Sequence, residues 1–277
     1  MGDKRAIQVL LLVLCFAVVS IPQIRVVKAQ YTVYIRADGS IEGTDKIQRD
    51  GDVFTLTGDI SGGIKVERNF TVIDGAGYTL QGSGVEGWGV DFAAHSPSDP
   101  RTFNLTIKNL RIMNFGAGIR SVNNNTVIGN YIVGCSVGIS IMSGSNNIIK
   151  NNTIANNGNG ISISYSGGGH VITQNNMIND VAATNNVIIV WLSPRPSVFM
   201  NYWSDYNGTD NDGDGIGDRP YMYINTDYAK YSDGQPLMEP VELPVIPEFP
   251  SWTPLLIMLV ALIFVAVIFK QKHLFLE

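Results

Sequence analysis

A right-handed parallel β-helix is the all-β fold that the sequence predicts, and three observations carry the prediction. Apolar positions recur through the middle of the chain at a nearly constant spacing, from Ile107 to Val127 to Ile149 and from Ile119 to Ile139 to Ile161. The segments that hold them are short, β-branched and alternating, as in Ile139-Ser140-Ile141 and Ile161-Ser162-Ile163. Between them the chain is crowded with Asn and Gly, and Asn is the commonest residue from Asn104 to Asn186. Self-similarity at this period marks a solenoid. Alternating β-branched triplets make its elements strands, and Asn and Gly supply the left-handed backbone that sharp corners need. A leucine-rich solenoid would need Leu at fixed positions and a helical half-repeat, and neither is present.

The repeat aligns in detail. Ile107, Ile112, Gly118 and Ile119 become Val127, Ile132, Gly138 and Ile139 in the second copy, all by one common shift. A second common shift, slightly longer, carries these to Ile149, Ile154, Gly160 and Ile161, with Asn130 matched by Asn152. A fourth copy continues as Asn176-Met177-Ile178. Upstream, Asn69-Phe70-Thr71-Val72 matches Asn104-Leu105-Thr106-Ile107 at a longer shift, so one coil carries an insertion. Residues 93–101, with His95, two Pro and one Asp, form the expected protruding loop. Stacked in register, the copies give parallel sheets about 4.8 Å between strands, with Ile on Ile inside and Asn on Asn at the turns.

The flanking elements follow in chain order. Residues 1–29 carry Lys4 and Arg5, an apolar run from Ala6 to Val19, and Val27 and Ala29 at −3 and −1, which predicts a secretory signal peptide cleaved after Ala29. An uncleaved anchor helix is the alternative. Residues 30–60 read as short strands that cap the N-terminal end of a helix spanning 61–200, because an open solenoid end exposes core and unpaired edges. Residues 201–238 read as the C-terminal cap, and 239–251 as a Pro-rich linker. The stretch 252–269 carries no charge and predicts a transmembrane helix about 27 Å long. Trp252 suits the interface, and Lys270, Lys272 and His273 in the tail 270–277 suit the cytoplasmic side. A soluble core helix is the alternative there. The expectation is a single-pass cell-surface protein.

Charge narrows the partners. The chain has 277 residues and a formal charge of −5, but residues 30 to 250 hold 13 Lys or Arg against 22 Asp or Glu, a net of −9. An acidic exported segment without a basic run argues against nucleic acid and leaves surface glycans or envelope proteins as expected partners. Cys15 lies in the signal peptide, so Cys135 has no partner for an intramolecular disulfide.

Tyr34-Ile-Arg-Ala-Asp-Gly-Ser-Ile41, Val72-Ile-Asp-Gly-Ala-Gly-Tyr-Thr-Leu80, the Asn-x-Ile coils and Asn201-Tyr-Trp-Ser-Asp-Tyr206 followed by an Asp-Gly run together resemble NosD-like right-handed β-helix proteins of the carbohydrate-binding and sugar-hydrolase (CASH) type. The resemblance covers roughly residues 31 to 238 and implies an archaeal cell-surface location. Pro247-Glu248-Phe249 before the apolar segment is similar to the PEF-type sorting signal read by archaeosortases. Fold resemblance alone fixes no activity.

Asp210-Asn-Asp212-Gly-Asp214-Gly-Ile216-Gly-Asp218 is the strongest local motif. Carboxylates at positions 1, 3, 5 and 9, Gly at 6 and the Ile216 carbonyl at 7 suit an oxygen-ligated calcium loop. Tyr221 replaces the bidentate Glu of an EF-hand, so the expected affinity is weak, and a solvated acidic turn is the alternative. Tyr202, Trp203 and Tyr206 read either as a sugar-stacking platform or as an apolar plug for the end of the helix. Asn69, Asn104, Asn124, Asn151 and Asn207 begin N-glycosylation sequons. No catalytic residue is assigned: glycoside hydrolysis needs two facing carboxylates, and from Asn104 to Asn179 there is no Asp or Glu. Asp74 is the best remaining carboxylate, but Asp-Gly is a turn signal. The NosD resemblance implies a copper-enzyme maturation role as a minor reading. Copper needs clustered His, Met or Cys, whereas His95, His170, Met113, Met142, Met177 and Met200 stand far apart in sequence. The reading is thus a membrane-anchored, non-catalytic carbohydrate-binding or structural envelope protein, with a polysaccharide-modifying enzyme as its alternative.

Overall fold

Each apolar triplet places its central side chain on one side of the strand and its neighbours on the other. Ile107, Val127, Ile149, Ile172 and Val198 are such centres, and all are buried. The computed structural model describes residues 33–84, 86–92, 103–178, 188–191, 193–225 and 230–242. Within them the chain winds as a β-solenoid of three parallel sheets. The expected signal peptide, the loop at 93–101, most of the linker and the C-terminal apolar segment lie outside the described residues.

Coil 1 comprises Val53–Leu56, Ile60–Ser61 and Ile64–Val66, and coil 2 comprises Val72–Asp74, Thr79–Gln81 and Trp88–Asp91. Coils 3 to 6 begin at Thr106, Thr126, Ile148 and Val171, and a partial coil 7 supplies Ser197–Phe199 and Tyr202–Trp203. The third strands of coils 1 to 6 form sheet I, the first strands of all seven coils sheet II, and the second strands sheet III. The pairing follows the repeat: Ile73, Ile107, Val127 and Ile149 lie in one column and Val90, Ile119, Ile139 and Ile161 in another. The upstream copy is also present but one residue out of the expected register: Val72 pairs with Thr106 rather than Ile107, and the buried Ile73 takes the inward place beside Ile107. The solenoid starts before residue 61, because Val53–Leu56 already pairs in parallel with Val72–Asp74.

The edges at the N-terminal end are closed by reversals. Ile47–Asp50 runs antiparallel to Val53–Leu56, and Ile41–Glu42 antiparallel to Val33–Ile35, which continues sheet I. These turn-backs cover sheets I and II, while sheet III ends on the two-residue strand Ile60–Ser61, an edge too short to recruit another chain readily.

The glycines do two jobs, and only one is the expected one. Gly118 and Gly138 stand inside strands of sheet I, where a Cβ would come within 2.7 Å and 2.6 Å of the carbonyl oxygens of Gly138 and Gly160. That column needs the absence of a side chain. Asparagine shares the left-handed positions with glycine: seven Asn, from Asn104 to Asn156, have φ between 51° and 59°. Asn and Gly alternate in one corner column, where Asn109, Gly129 and Asn151 share positive φ.

Immediately after each left-handed residue of that column, the next side chain turns inward. In the corner between sheets II and III these inward residues are Leu110, Asn130, Asn152, Asn175 and Asn201, all buried. Asn130 Oδ1 accepts from the Leu110 N–H at 3.1 Å. Asn152, Asn175 and Asn201 each accept in the same way from the Asn one coil before, at 3.0 Å. Every Nδ2 in this ladder donates to carbonyls as well; that of Asn152 reaches Val127 O at 2.9 Å and Lys150 O at 3.0 Å. A buried amide that satisfies both its own groups and a backbone N–H removes a desolvation penalty the corner would otherwise carry.

Candidate functional site

The C-terminal end is built on that ladder. Asn201 is its last amide, and Asp233 sits where the next Asn would stand. The Asp233 carboxylate accepts from Asn201 N at 3.0 Å, Asn201 Nδ2 at 3.1 Å, Trp203 Nε1 at 3.1 Å and Met200 N at 3.2 Å. Its hairpin, Tyr221–Asn225 with Lys230–Asp233, carries the side chains that close the core. Trp203 is only 1% exposed. It stacks on Tyr221 at 4.2 Å between ring centres and on Tyr223 at 6.0 Å. Both the polar edge and the faces of Trp203 are thus used internally, which makes it part of the cap and leaves no face for a sugar. Tyr202 and Tyr206 are half-buried beside it, and Tyr206 Oη donates to Arg219 O at 2.7 Å.

The Asp-rich loop projects from this cap. Asp210, Asp212 and Asp214 bring one carboxylate oxygen each within 4.8 Å of one another. An ion at about 2.4 Å from each would fit that spread, within the bond range of a calcium site. Asp218 is not gathered with them. Asp218 Oδ2 instead accepts from Thr209 Oγ1 at 3.0 Å and from Asn211 N at 3.1 Å, which ties the two ends of the loop together. The Ile216 N–H donates to Asp214 Oδ1 at 2.8 Å, and Ile216 bridges to Leu237. Asp210 accepts from Gly213 N at 2.8 Å and Gly215 N at 3.0 Å. Desolvation pushes the Asp210 carboxyl up, but these N–H donors outweigh it and hold it below the ordinary range.

A second cluster escapes a reading of the sequence alone. On the outer face of sheet I, Lys65, Asp91 and Arg120 stand in one in-register column. Lys65 Nζ lies 3.2 Å from Asp91 Oδ2, and Arg120 Nε lies 4.0 Å from Asp91 Oδ1. The Arg120 guanidinium covers the Trp88 ring at 4.8 Å. Asp91 is fully buried, and a buried carboxylate needs such partners. The column continues as Ser140 and Ser162. The signal that could have found it is the Gly-Ile pair: extended upstream, the copies read Gly63-Ile64-Lys65, Gly89-Val90-Asp91 and Gly118-Ile119-Arg120, so the residue after each pair faces outward.

The other candidate carboxylate, Asp74, ends a strand, and its side chain fastens the turn that follows. It pairs with Lys108 Nζ at 2.9 Å and accepts from Ala76 N at 3.0 Å and Asn109 Nδ2 at 3.1 Å. It belongs to coil 2 and the Asp210 loop follows coil 7, about 24 Å apart along the axis at about 4.8 Å per coil. They do not share one groove.

Of the sequons, Asn104, Asn124 and Asn207 are exposed, whereas Asn69 and Asn151 are half-buried. Asn69 Oδ1 accepts from Phe103 N at 3.0 Å. Cys135 is buried, and burial pushes its thiol up to about 11. Both ring nitrogens of buried His170 are hydrogen-bonded, to Asn147 and Ser166. Among the described residues, Asp210, Asp212 and Asp214 form the one metal-competent cluster of three or more His, Cys, Asp or Glu.

A family model described as right-handed β-helix region matches residues 61–216, more than half of the chain, and the chain belongs to that family. No curated protein and no solved structure matches the sequence.

Proposed function

We propose that this is a non-catalytic envelope protein that binds surface glycans or neighbouring envelope proteins along the outer face of sheet I. The observation that carries the proposal is the in-register row of Arg120, Ser140 and Ser162. Polar donors repeated at about 4.8 Å along a straight face suit an extended polymer. No Asp or Glu stands in coils 3 to 5 to cleave it. The apolar segments at 1–29 and 252–269 support export and membrane anchoring, and the Pro247-Glu248-Phe249 resemblance supports a sorted C-terminus. The NosD-like resemblance supports the CASH grouping, with the copper role least favoured. Asn104, Asn124 and Asn207 are the proposed glycan acceptors, with Asn69 and Asn151 as half-buried candidates. Calcium is proposed as a structural ion at Asp210, Asp212 and Asp214.

A glycan array with residues 30–245 tests the binding reading, using Ser140→Glu/Ser162→Glu as the blocked variant. Binding by the native chain that the double variant loses, with unchanged thermal stability, is the expected result. Equal binding by both proteins removes sheet I as the interface. One observation favours a second reading, a polysaccharide-modifying enzyme: Asp91 is held between Lys65 and Arg120, the kind of charge cluster that active sites use.

A further inference from the structure

The ladder in the corner between sheets I and II ends differently from its neighbour. Its buried residues are Leu105, Asn125, Asn147 and His170. Leu105 N donates to Asn125 Oδ1 at 2.9 Å, and Asn125 N to Asn147 Oδ1 at 3.0 Å. At the next step the acceptor is an imidazole: Asn147 N donates to His170 Nδ1 at 3.2 Å, and Asn147 Nδ2 lies 3.3 Å from the same nitrogen. Two N–H donors aimed at Nδ1 require it to be bare, so the ring is neutral and carries its proton on Nε2. That proton points at Ser166 Oγ, which accepts from Gly168 N at 3.1 Å and donates to Gly144 O at 2.6 Å. Each polar group in the corner then has one consistent role.

We propose that His170 is a proton-operated latch for the corner joining coils 5 and 6, closed when the ring is neutral and released when Nδ1 takes a proton. Protonation turns the acceptor into a third donor facing two donors, and it places a charge in a buried site. Among the described residues the polar groups bonded to the ring, Asn147 of coil 5 and Ser166 of the same corner, are uncharged, as is Ser193, whose Oγ accepts from Ser166 N at 2.8 Å. Lys150 and Arg195 are the charged residues of the adjoining segments. Arg195 is exposed and donates to Ser232 O at 3.3 Å, and burial is the cause that lowers the ring's titration. The sign follows from the neutral native ring. Unfolding frees the ring to titrate at its ordinary 6.5, so stability is complete above that pH and falls as pH drops below it.

Acidification from pH 7.5 to 5 raises the unfolding constant by more than in a chain without the group, up to a limit of about 30-fold set by the free ring's 6.5. His170→Asn is the variant to use, because Asn125 and Asn147 fill the equivalent place in the preceding coils. Unfolding of the full chain should rise more steeply than that of His170→Asn between pH 7.5 and 5, within that limit. An unchanged pH dependence in His170→Asn overturns the proposal. Nitrogen NMR of the native ring supplies a readout independent of the variant's folding. A proton on Nε2 and titration below 6.5 support the latch, whereas a proton on Nδ1 or titration above 6.5 sinks it.

Discussion

Asn152 shows what a single residue does in this fold. Its side chain bonds a backbone N–H, an amide oxygen and two carbonyls in successive coils. Asn152→Ala leaves several of these groups buried and unpaired, and urea unfolding should show a loss of about 2–4 kcal/mol. Gly138→Ala acts differently, by pushing a Cβ against the Gly160 carbonyl at 2.6 Å. A loss of about 1–3 kcal/mol is expected from overpacking, read by the same unfolding curve. Asparagine abundance is legible in the sequence, but its division of labour is not. Composition cannot separate the left-handed Asn151 from the inward Asn152, because they are neighbours and only the backbone conformation distinguishes them. The glycines mislead in a related way: Gly118 and Gly138 read as corner residues, yet sit in strands where the neighbouring backbone leaves no room.

At the scale of elements, the C-terminal cap joins a rigid plug to an acidic loop. Trp203→Ala removes a buried ring stacked on Tyr221 and a hydrogen bond to Asp233, so a loss of about 3–5 kcal/mol is expected by thermal unfolding. The loop should behave separately. Calcium titration followed by calorimetry should give a dissociation constant of about 10⁻⁴ to 10⁻³ M, and Asp212→Asn should weaken it with little change in the calcium-free stability. Absence of heat at millimolar calcium would leave the loop as an acidic turn. Here the sequence picks out the segment where Asp210, Asp212 and Asp214 converge, but not the place of Asp218 outside that group. The spacing of Asp218 fits position 9, whereas its hydrogen bonds to Thr209 and Asn211 use it to close the loop. The strands of coils 3 to 5 are legible to the residue, since the shift from one copy to the next preserves every inward position. The first coil is not, because Val53–Leu56 lacks the Asn corner that marks the later copies.

For the whole molecule, the sheets turn a one-dimensional repeat into long outer faces whose chemistry changes along the axis. Sheet I runs from Lys65, Asp91 and Arg120 to Ser140 and Ser162, a passage from charged to neutral groups that no single coil contains. The charged end escapes sequence reading because its three residues come from coils separated by insertions of unequal length, although each follows a recognisable Gly-Ile or Gly-Val pair. The neutral end is the proposed glycan face. The central claim is binding without turnover, and the most direct measurement is to incubate residues 30–245, with and without calcium, with polysaccharides retained on a glycan array and to follow both retention and chain length. Retention with unchanged chain length is the predicted result. New reducing ends or unsaturated sugars, abolished by Asp91→Asn, would contradict it and make the Lys65–Asp91–Arg120 cluster an active site.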